Sequence, residues 1–298
     1  LGLEVVLPKG EIVVLGGKTR KNVTGYSLKD IMIGSEGTLG TITKAYLKLL
    51  PYPNHRTLIW ATFHDFEHAL NGMTKAYSSG INPASIEFIE KRAFERVAQL
   101  TQQEIPYQDA HIHLLIELDG FDENAIKSQE KSLALILEKE KATNVLIIPY
   151  ENKQEQIWDL RRKISEATKS FSVNKKSEDV VVPASSLKGF LEEIHQLEKE
   201  YAIEIICFGH LGDGNVHVNI LNLSQELWLV WEKFHHKVIK KVFEITKKHG
   251  GTLSGEHGIG LSKKKYLPLF LDSKTLSLHK KIKKIFDPKN LLNPGKIW

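Results

Sequence analysis

Apolar positions recur along this chain with two periods, and the period separates strands from helices. Alternating or continuous β-branched runs predict strands over residues 57–63, 84–89, 111–118, 145–148, 203–208 and 216–221. Between and after them the spacing turns helical, over 66–79, 92–100, 123–140, 151–170, 185–201, 225–249 and 273–286. Ile126, Leu133, Ile136 and Leu137 line one side of the third helix; Leu187, Phe190, Leu191, Ile194 and Leu197 line one side of the fifth. Gly80 closes the first helix, Gly250-Gly251 the sixth, and Asp287-Pro288 stops the seventh. Ahead of this series stand a hairpin (3–7 and 11–15, around Pro8-Lys9-Gly10), a glycine-rich loop and a strand over 41–50. Pro51-Tyr52-Pro53 marks a boundary. The alternation beyond it predicts α+β layers, with helices on one face of an antiparallel sheet.

Composition narrows this picture. At 298 residues the chain has room for two domains. Its 41% hydrophobic and 26% charged residues are those of an ordinary soluble globular protein. The net charge of +5 is spread over lysine-rich helix faces, too diffuse to argue for nucleic acid. The single cysteine, Cys207, lies in an apolar strand and reads as core; it excludes a disulfide framework and fits a reducing, cytoplasmic compartment. No apolar run reaches the ~18 residues of a membrane span, and no signal peptide is visible. The basic helix 273–286 suits peripheral contact with a membrane surface as well as a solvated face. The opening hairpin leaves both strand edges unpaired. That is a poor start for a domain.

The candidate chemistry gathers in the C-terminal third, in Phe-Gly-His-Leu-Gly-Asp-Gly-Asn-Val-His-Val-Asn-Ile (208–220) and Gly-Gly-Thr-Leu-Ser-Gly-Glu-His-Gly-Ile-Gly (250–260). The first reads as strand, turn, strand. With a period of two, His217 and Asn219 share a face, and His210 stands at the other mouth of the turn. Two imidazoles converging on a rigid hairpin, with Glu256 from the second segment, would make a metal site with an open position, suited to Zn, Mn or Fe. The histidine pair by itself fits equally well two core side chains satisfying hydrogen bonds. Elsewhere, His111 and His113 read as structural, and His235, His236 and His249 as surface residues. Arg161 in the helix 151–170 reads as a carboxylate clamp or a solvated arginine.

These segments also carry a resemblance. His210 to Ile220 and Ser254 to Gly260, together with Gly-Ser-Glu-Gly-Thr-Leu-Gly-Thr-Ile-Thr (34–43) and Phe-Asp-Pro-Lys-Asn-Leu-Leu-Asn-Pro-Gly-Lys-Ile-Trp (286–298), resemble the FAD-linked oxidase C-terminal family. That family includes glycolate oxidase flavin subunits, D-lactate dehydrogenases and D-2-hydroxyglutarate dehydrogenases. The resemblance implies the later part of a PCMH/VAO-type FAD-binding domain (1–50), a ferredoxin-like cap domain carrying the substrate and metal sites (51–280), and a tail returning to the FAD domain as a strand (281–298). With this resemblance and the opening hairpin's poor domain start, the chain reads as a fragment, a processed product or one half of a split protein. It implies FAD contacts from Asn22, Gly25, Gly34, Ser35, Glu36, Gly37, Thr38, Gly40, Ile42 and Asn293. Arg161, Ser165, Lys176 and Asn219 would meet the substrate, His210, His217 and Glu256 would hold the metal, and His257 would act as the base. The implied reaction is oxidation of a 2-hydroxy acid of glycolate or D-lactate type. Electrons would pass to a quinone, a cytochrome, or a partner flavoprotein or Fe–S subunit, in a homodimer or a multi-subunit complex. Two other readings stay open: a non-catalytic subunit whose partner completes the FAD site, and a metal-dependent hydrolase.

Overall fold

The computed structural model describes residues 1–107, 109–172, 174–222 and 228–298, with the backbone alone at 228–230, 232 and 233. Contacts divide the chain into two compact units, a smaller one of residues 1–51 with 256–298 and a larger one of 52–255.

The first part of the smaller unit holds β1 (Gly2–Val6), β2 (Ile12–Gly16), α1 (Leu28–Met32) and β3 (Thr41–Tyr46). The strands form an antiparallel sheet in the order β2-β1-β3. The strand expected over 41–50 ends at Tyr46, which pairs with Gly2; Leu47, Leu49 and Leu50 beyond it are exposed. The single turn of α1 is too short to show a period in the sequence.

The larger unit is built on β4 (His55–Phe63), α2 (Phe66–Ser78), β5 (Ser85–Glu90), α3 (Lys91–Thr101), β6 (Ile112–Gly120), α4 (Glu123–Lys139), β7 (Asn144–Ile148), α5 (Glu151–Ser170), β8 (Lys175–Val181), α6 (Leu187–Tyr201), β9 (Glu204–His210), β10 (Asn215–Leu221) and α7 (Trp228–Lys248). The stretch 225–227, where the sixth helix was expected to begin, lies outside the described residues. The strands form one antiparallel sheet in the order β7-β4-β6-β5-β9-β10-β8.

The expectation of helices on one face is corrected. Phe88 meets Phe66 of α2 with ring centroids 5.4 Å apart, while its neighbour Ile89 packs with Phe94 of α3 and Ile164 of α5. Adjacent strand residues point to opposite faces, so α2 and α3/α5 cover opposite sides. The same alternation puts Glu90 against His195 of α6 and Glu87 against Arg161 of α5. The physical reason lies in the strands: Leu58 to Ala61 and Leu114 to Ile116 are buried without a polar break. Such runs need cover on both sides. Each large side chain in them contributes roughly 1.5–3 kcal/mol by burial. On the α2 side, α6 seats the five apolar residues its spacing had marked.

The smaller unit resumes with α8 (Leu267–Phe270) and α9 (Ser273–Phe286). Asp272 caps α9 by accepting from the N–H groups of Lys274 and Thr275. Ile282 and Phe286 of α9 pack on Leu3, Val5, Met32 and Leu39. The return strand expected in the tail is absent: residues 287–298 run in turns around buried Asp287, which accepts from the N–H groups of Leu291 and Leu292. Asn290, Asn293 and Gly295 there adopt left-handed backbone, as Asn and Gly in turns do. Among the described residues, no helix is long and apolar enough to cross a membrane.

Candidate active site

Strands β9 and β10 pair so that His210 faces Asn215, Phe208 faces His217, and Ile206 faces Asn219. Gly214 makes the turn possible: its φ is +69°, and a Cβ there would lie 2.1 Å from the Val182 carbonyl oxygen. The register puts both imidazoles on one face, with ring centroids 5.6 Å apart and nearly perpendicular. Both rings are half-buried.

Glu87 of β5 joins this pair, and the sequence reading missed it. Glu87 stands opposite His210 in the sheet. Its Oε1 meets the His210 Nδ1, and its Oε2 accepts from Arg161 Nε at 2.9 Å and lies 2.8 Å from an Arg161 terminal nitrogen. Burial pushes the Glu87 carboxyl up, but the His210 hydrogen bond and the Arg161 charge outweigh it and hold it below the usual carboxylate range. The Arg161 guanidinium lies over the Phe208 ring at 4.6 Å. Arg161, His210 and His217 are thus brought together on the α3/α5 face. A carboxyl inside the apolar run Ile86–Ile89 was the available signal for Glu87.

Three other expected substrate contacts stand differently. Lys176 pairs with Ile220, on the face opposite His217 and Asn219; Lys175 is the lysine on their face, because the strand period is two. Lys175 Nζ donates to Thr168 Oγ1 at 2.6 Å and to the Ser165 carbonyl at 3.3 Å, and burial with the nearby Lys169 charge lowers it to about 8. Asn219 is buried: its amide donates to the Ile206 and His217 carbonyls, and its Oδ1 accepts from Ser177. It braces the hairpin. Ser165 is exposed on α5.

Asp179 of β8 was also missed. Fully buried, it accepts from Asn215 Nδ2, Ser254 Oγ and the Gly255 N–H. It ties the segment leading to Glu256 to the sheet beside the hairpin.

In the smaller unit, the glycine-rich loop is bolted to the C-terminal part. Glu36, at φ 51°, accepts from the N–H groups of Ile259 and Gly260 at 2.7 and 2.8 Å. Its carboxylate therefore holds the loop that carries exposed Glu256 and His257. The Glu36 carbonyl accepts from Asn293 Nδ2, and Ser35 accepts from Thr38. Gly34, Ser35, Gly37, Thr38, Gly40 and Asn293 thus belong to one loop cluster. Asn22 and Gly25 line a separate open hollow of about 690 Å³ with Leu15, Gly16 and Tyr26. Ile42 is half-exposed on β3.

A second donor cluster, Glu90, His195 and Cys207, lies on the opposite sheet face. His195 Nε2 meets Glu90 at 2.7 Å, and the Cys207 N–H donates to the other Glu90 oxygen. Burial lowers the imidazole, but Glu198 and Glu90 overcome it and raise it to about 10; burial pushes the Cys207 thiol well up. Metal binding would have to strip protons from both, so this is an ion-pair network. Two expected roles elsewhere also shift or sharpen. His235, expected at the surface, is buried with Nδ1 on the Trp231 carbonyl. His113 is a core residue.

Over its full length the chain is 34% identical to the D-lactate dehydrogenase of Archaeoglobus fulgidus and 34% identical to the glycolate oxidase subunit GlcD of Bacillus subtilis. It spans only 64% and 63% of those two proteins. Among solved structures, p-cresol methylhydroxylase superposes with a TM-score of 0.74 at 16% identity, over 99% of this chain and 64% of that one, which is a likeness of fold. The 4-ethylphenol oxidase of Gulosibacter chungangensis shares the α+β fold as well, with a TM-score of 0.69 at 15% identity over 100% of this chain and 65% of that one. Residues 52–297 match the model of the FAD linked oxidases, C-terminal domain, and the chain belongs to that family.

Proposed function

We propose that this chain forms the substrate and metal site of an FAD-dependent oxidoreductase acting on a small 2-hydroxy acid of glycolate or D-lactate type. The observation that carries the reading is the meeting of His210, His217 and Arg161 on one sheet face. The relatives' names support the reaction class.

The donor chemistry fits a divalent cation. His210 and His217 offer two imidazoles, and Glu87 stands behind the first. Glu256, the carboxylate of the glycine-flanked second segment, would complete the set. A bound Zn, Mn or Fe ion supplies a Lewis acid that lowers the substrate hydroxyl pKa, and bound FAD supplies the hydride acceptor. Arg161 grips the substrate carboxylate through its planar fork. His257 takes the proton from the substrate hydroxyl oxygen. Lys175, with Ser165 beside it on α5, takes the place first given to Lys176. Backbone N–H groups of 34–40, with Asn22, Gly25, Ile42 and Asn293, form one wall of the flavin site. The electron acceptor is a quinone, a cytochrome, or a partner flavoprotein or Fe–S subunit, and the assembly a homodimer or larger complex.

The test mixes the FAD-loaded protein, without oxygen, with glycolate, D-lactate and D-2-hydroxyglutarate. One of them should bleach the flavin absorbance. His257→Ala should keep FAD and bleach roughly 10²–10⁴-fold more slowly. Bleaching by none of the three sinks the reaction class.

A further inference from the structure

Glu87 is a carboxylate in a strand whose neighbours Ile86, Phe88 and Ile89 are all buried, and it is itself only 6% exposed. Taking a carboxylate out of water is costly unless its oxygens are paired. Packing does not require it, since an apolar residue would fill the sheet face. Its cost must be balanced by what it holds. Each oxygen has its own partner: Oε1 has His210 and Oε2 has Arg161.

We propose that Glu87 is the positioning residue that joins the two ends of the site: it keeps the neutral His210 proton on Nδ1, so that Nε2 is the nitrogen presented to a divalent cation, and it fixes Arg161 over Phe208. The metal half of this proposal rests on the reading of His210 and His217 as metal donors. A carboxylate bonded to the far nitrogen of an imidazole sets both its tautomer and its orientation toward a metal. Only a carboxylate serves both partners here. A glutamine at this position has one acceptor. Turned toward Arg161, it offers N–H groups to the His210 Nδ1 and draws the imidazole proton to Nε2. Turned toward His210, it sets donors against the guanidinium. Aspartate is one methylene shorter and loses reach to one partner.

The test has two readouts on the full chain. The first is the ¹⁵N spectrum of the histidine side chains, without metal, at a pH where His210 is neutral. The second is Co²⁺ affinity, measured by competition with a chromogenic chelator. Wild-type His210 should carry its proton on Nδ1. Glu87→Gln should move that proton at least partly to Nε2 and weaken Co²⁺ binding about 10–100-fold. His217→Ala is the control for the donor pair. If wild type takes no Co²⁺, or His217→Ala keeps it, the metal reading fails, and the tautomer still decides for or against Glu87. A wild-type proton on Nε2 overturns the proposal, and that measurement needs no variant to fold. An unchanged tautomer and Co²⁺ affinity in Glu87→Gln overturn it as well.

Discussion

Asn215 donates its side-chain amide to Asp179 across the β10–β8 pair at 2.6 Å, and both side chains are buried. The other Asp179 oxygen accepts from Ser254 Oγ at 3.1 Å and from the Gly255 N–H at 3.0 Å. One carboxylate therefore closes the hairpin and anchors the segment that leads to Glu256. Gly255 is required by space, since a Cβ there would lie 2.0 Å from Asn215 Nδ2.

Asp179→Leu leaves three donors without this acceptor; the Asn215 amide is buried, and the Ser254 hydroxyl and Gly255 N–H are partly so. An orphaned buried group costs ~1–3 kcal/mol. The expected loss is about 3–5 kcal/mol in urea unfolding, together with loss of metal from the His210/His217 pair. A loss under ~1 kcal/mol would show that these bonds contribute nothing net.

His113 makes stability sensitive to acid. Its ring is 1% exposed, sits 4.9 Å from the Phe94 ring, and accepts at Nδ1 from Trp60 Nε1 at 3.1 Å. Burial first, and the Lys91 charge second, lower it to about 4. The unfolded imidazole titrates near 6.5. Between those values the unfolded chain binds the extra proton, so this contribution is whole above pH ~6.5 and is lost as pH falls through about 4. The gap corresponds to about 3 kcal/mol. Urea midpoints at pH 7 and pH 4 should fall less for His113→Gln than for wild type. Equal falls would remove His113 as the cause.

How far the site could be read in advance depended on contact range. The His210/His217 convergence needed only a turn signal, Gly212 to Asn215, and a period of two, both local. Glu87 lies 74 residues from Arg161 and 123 from His210. Its role follows from β5 pairing with β9, an order no local pattern encodes. Lys175 and Lys176 differ by one register step, and a step of one reverses the face; only the pairing with β10 decides. His235 looked solvated among lysines, yet it bonds back one turn to Trp231 inside α7. Helices on both faces were legible in principle in the unbroken apolar runs of β4 and β6, which one-sided cover cannot satisfy.

The alkaline limb of stability should belong to His195. Its Nε2 meets Glu90 at 2.7 Å and its Nδ1 lies 3.6 Å from Glu198. Burial disfavours the cation, but the Glu198 and Glu90 hydrogen bonds and charges reverse that and raise the imidazole to about 10. The folded state then holds a proton that the unfolded chain, titrating near 6.5, gives up. This contribution is whole below pH ~6.5 and disappears as pH rises through about 10. The ring is 29% exposed and shared between two carboxylates, so solvent screening brings its worth to the order of a few kcal/mol. Lys175 acts with the opposite sign in an overlapping window. Held at about 8 when folded against ~10.4 unfolded, it weakens the fold below pH 8 and ceases to as pH rises. Raw stability against pH therefore mixes the two, while the difference between wild type and His195→Gln cancels the lysine. Urea midpoints at pH 7 and pH 10.5 should fall further for wild type than for His195→Gln. Parallel falls would mean that Glu90 and Glu198 do not hold the His195 proton, and the network would then owe its stability to Arg92 and Arg96, which pair with Glu198 and Glu204 on the same rim.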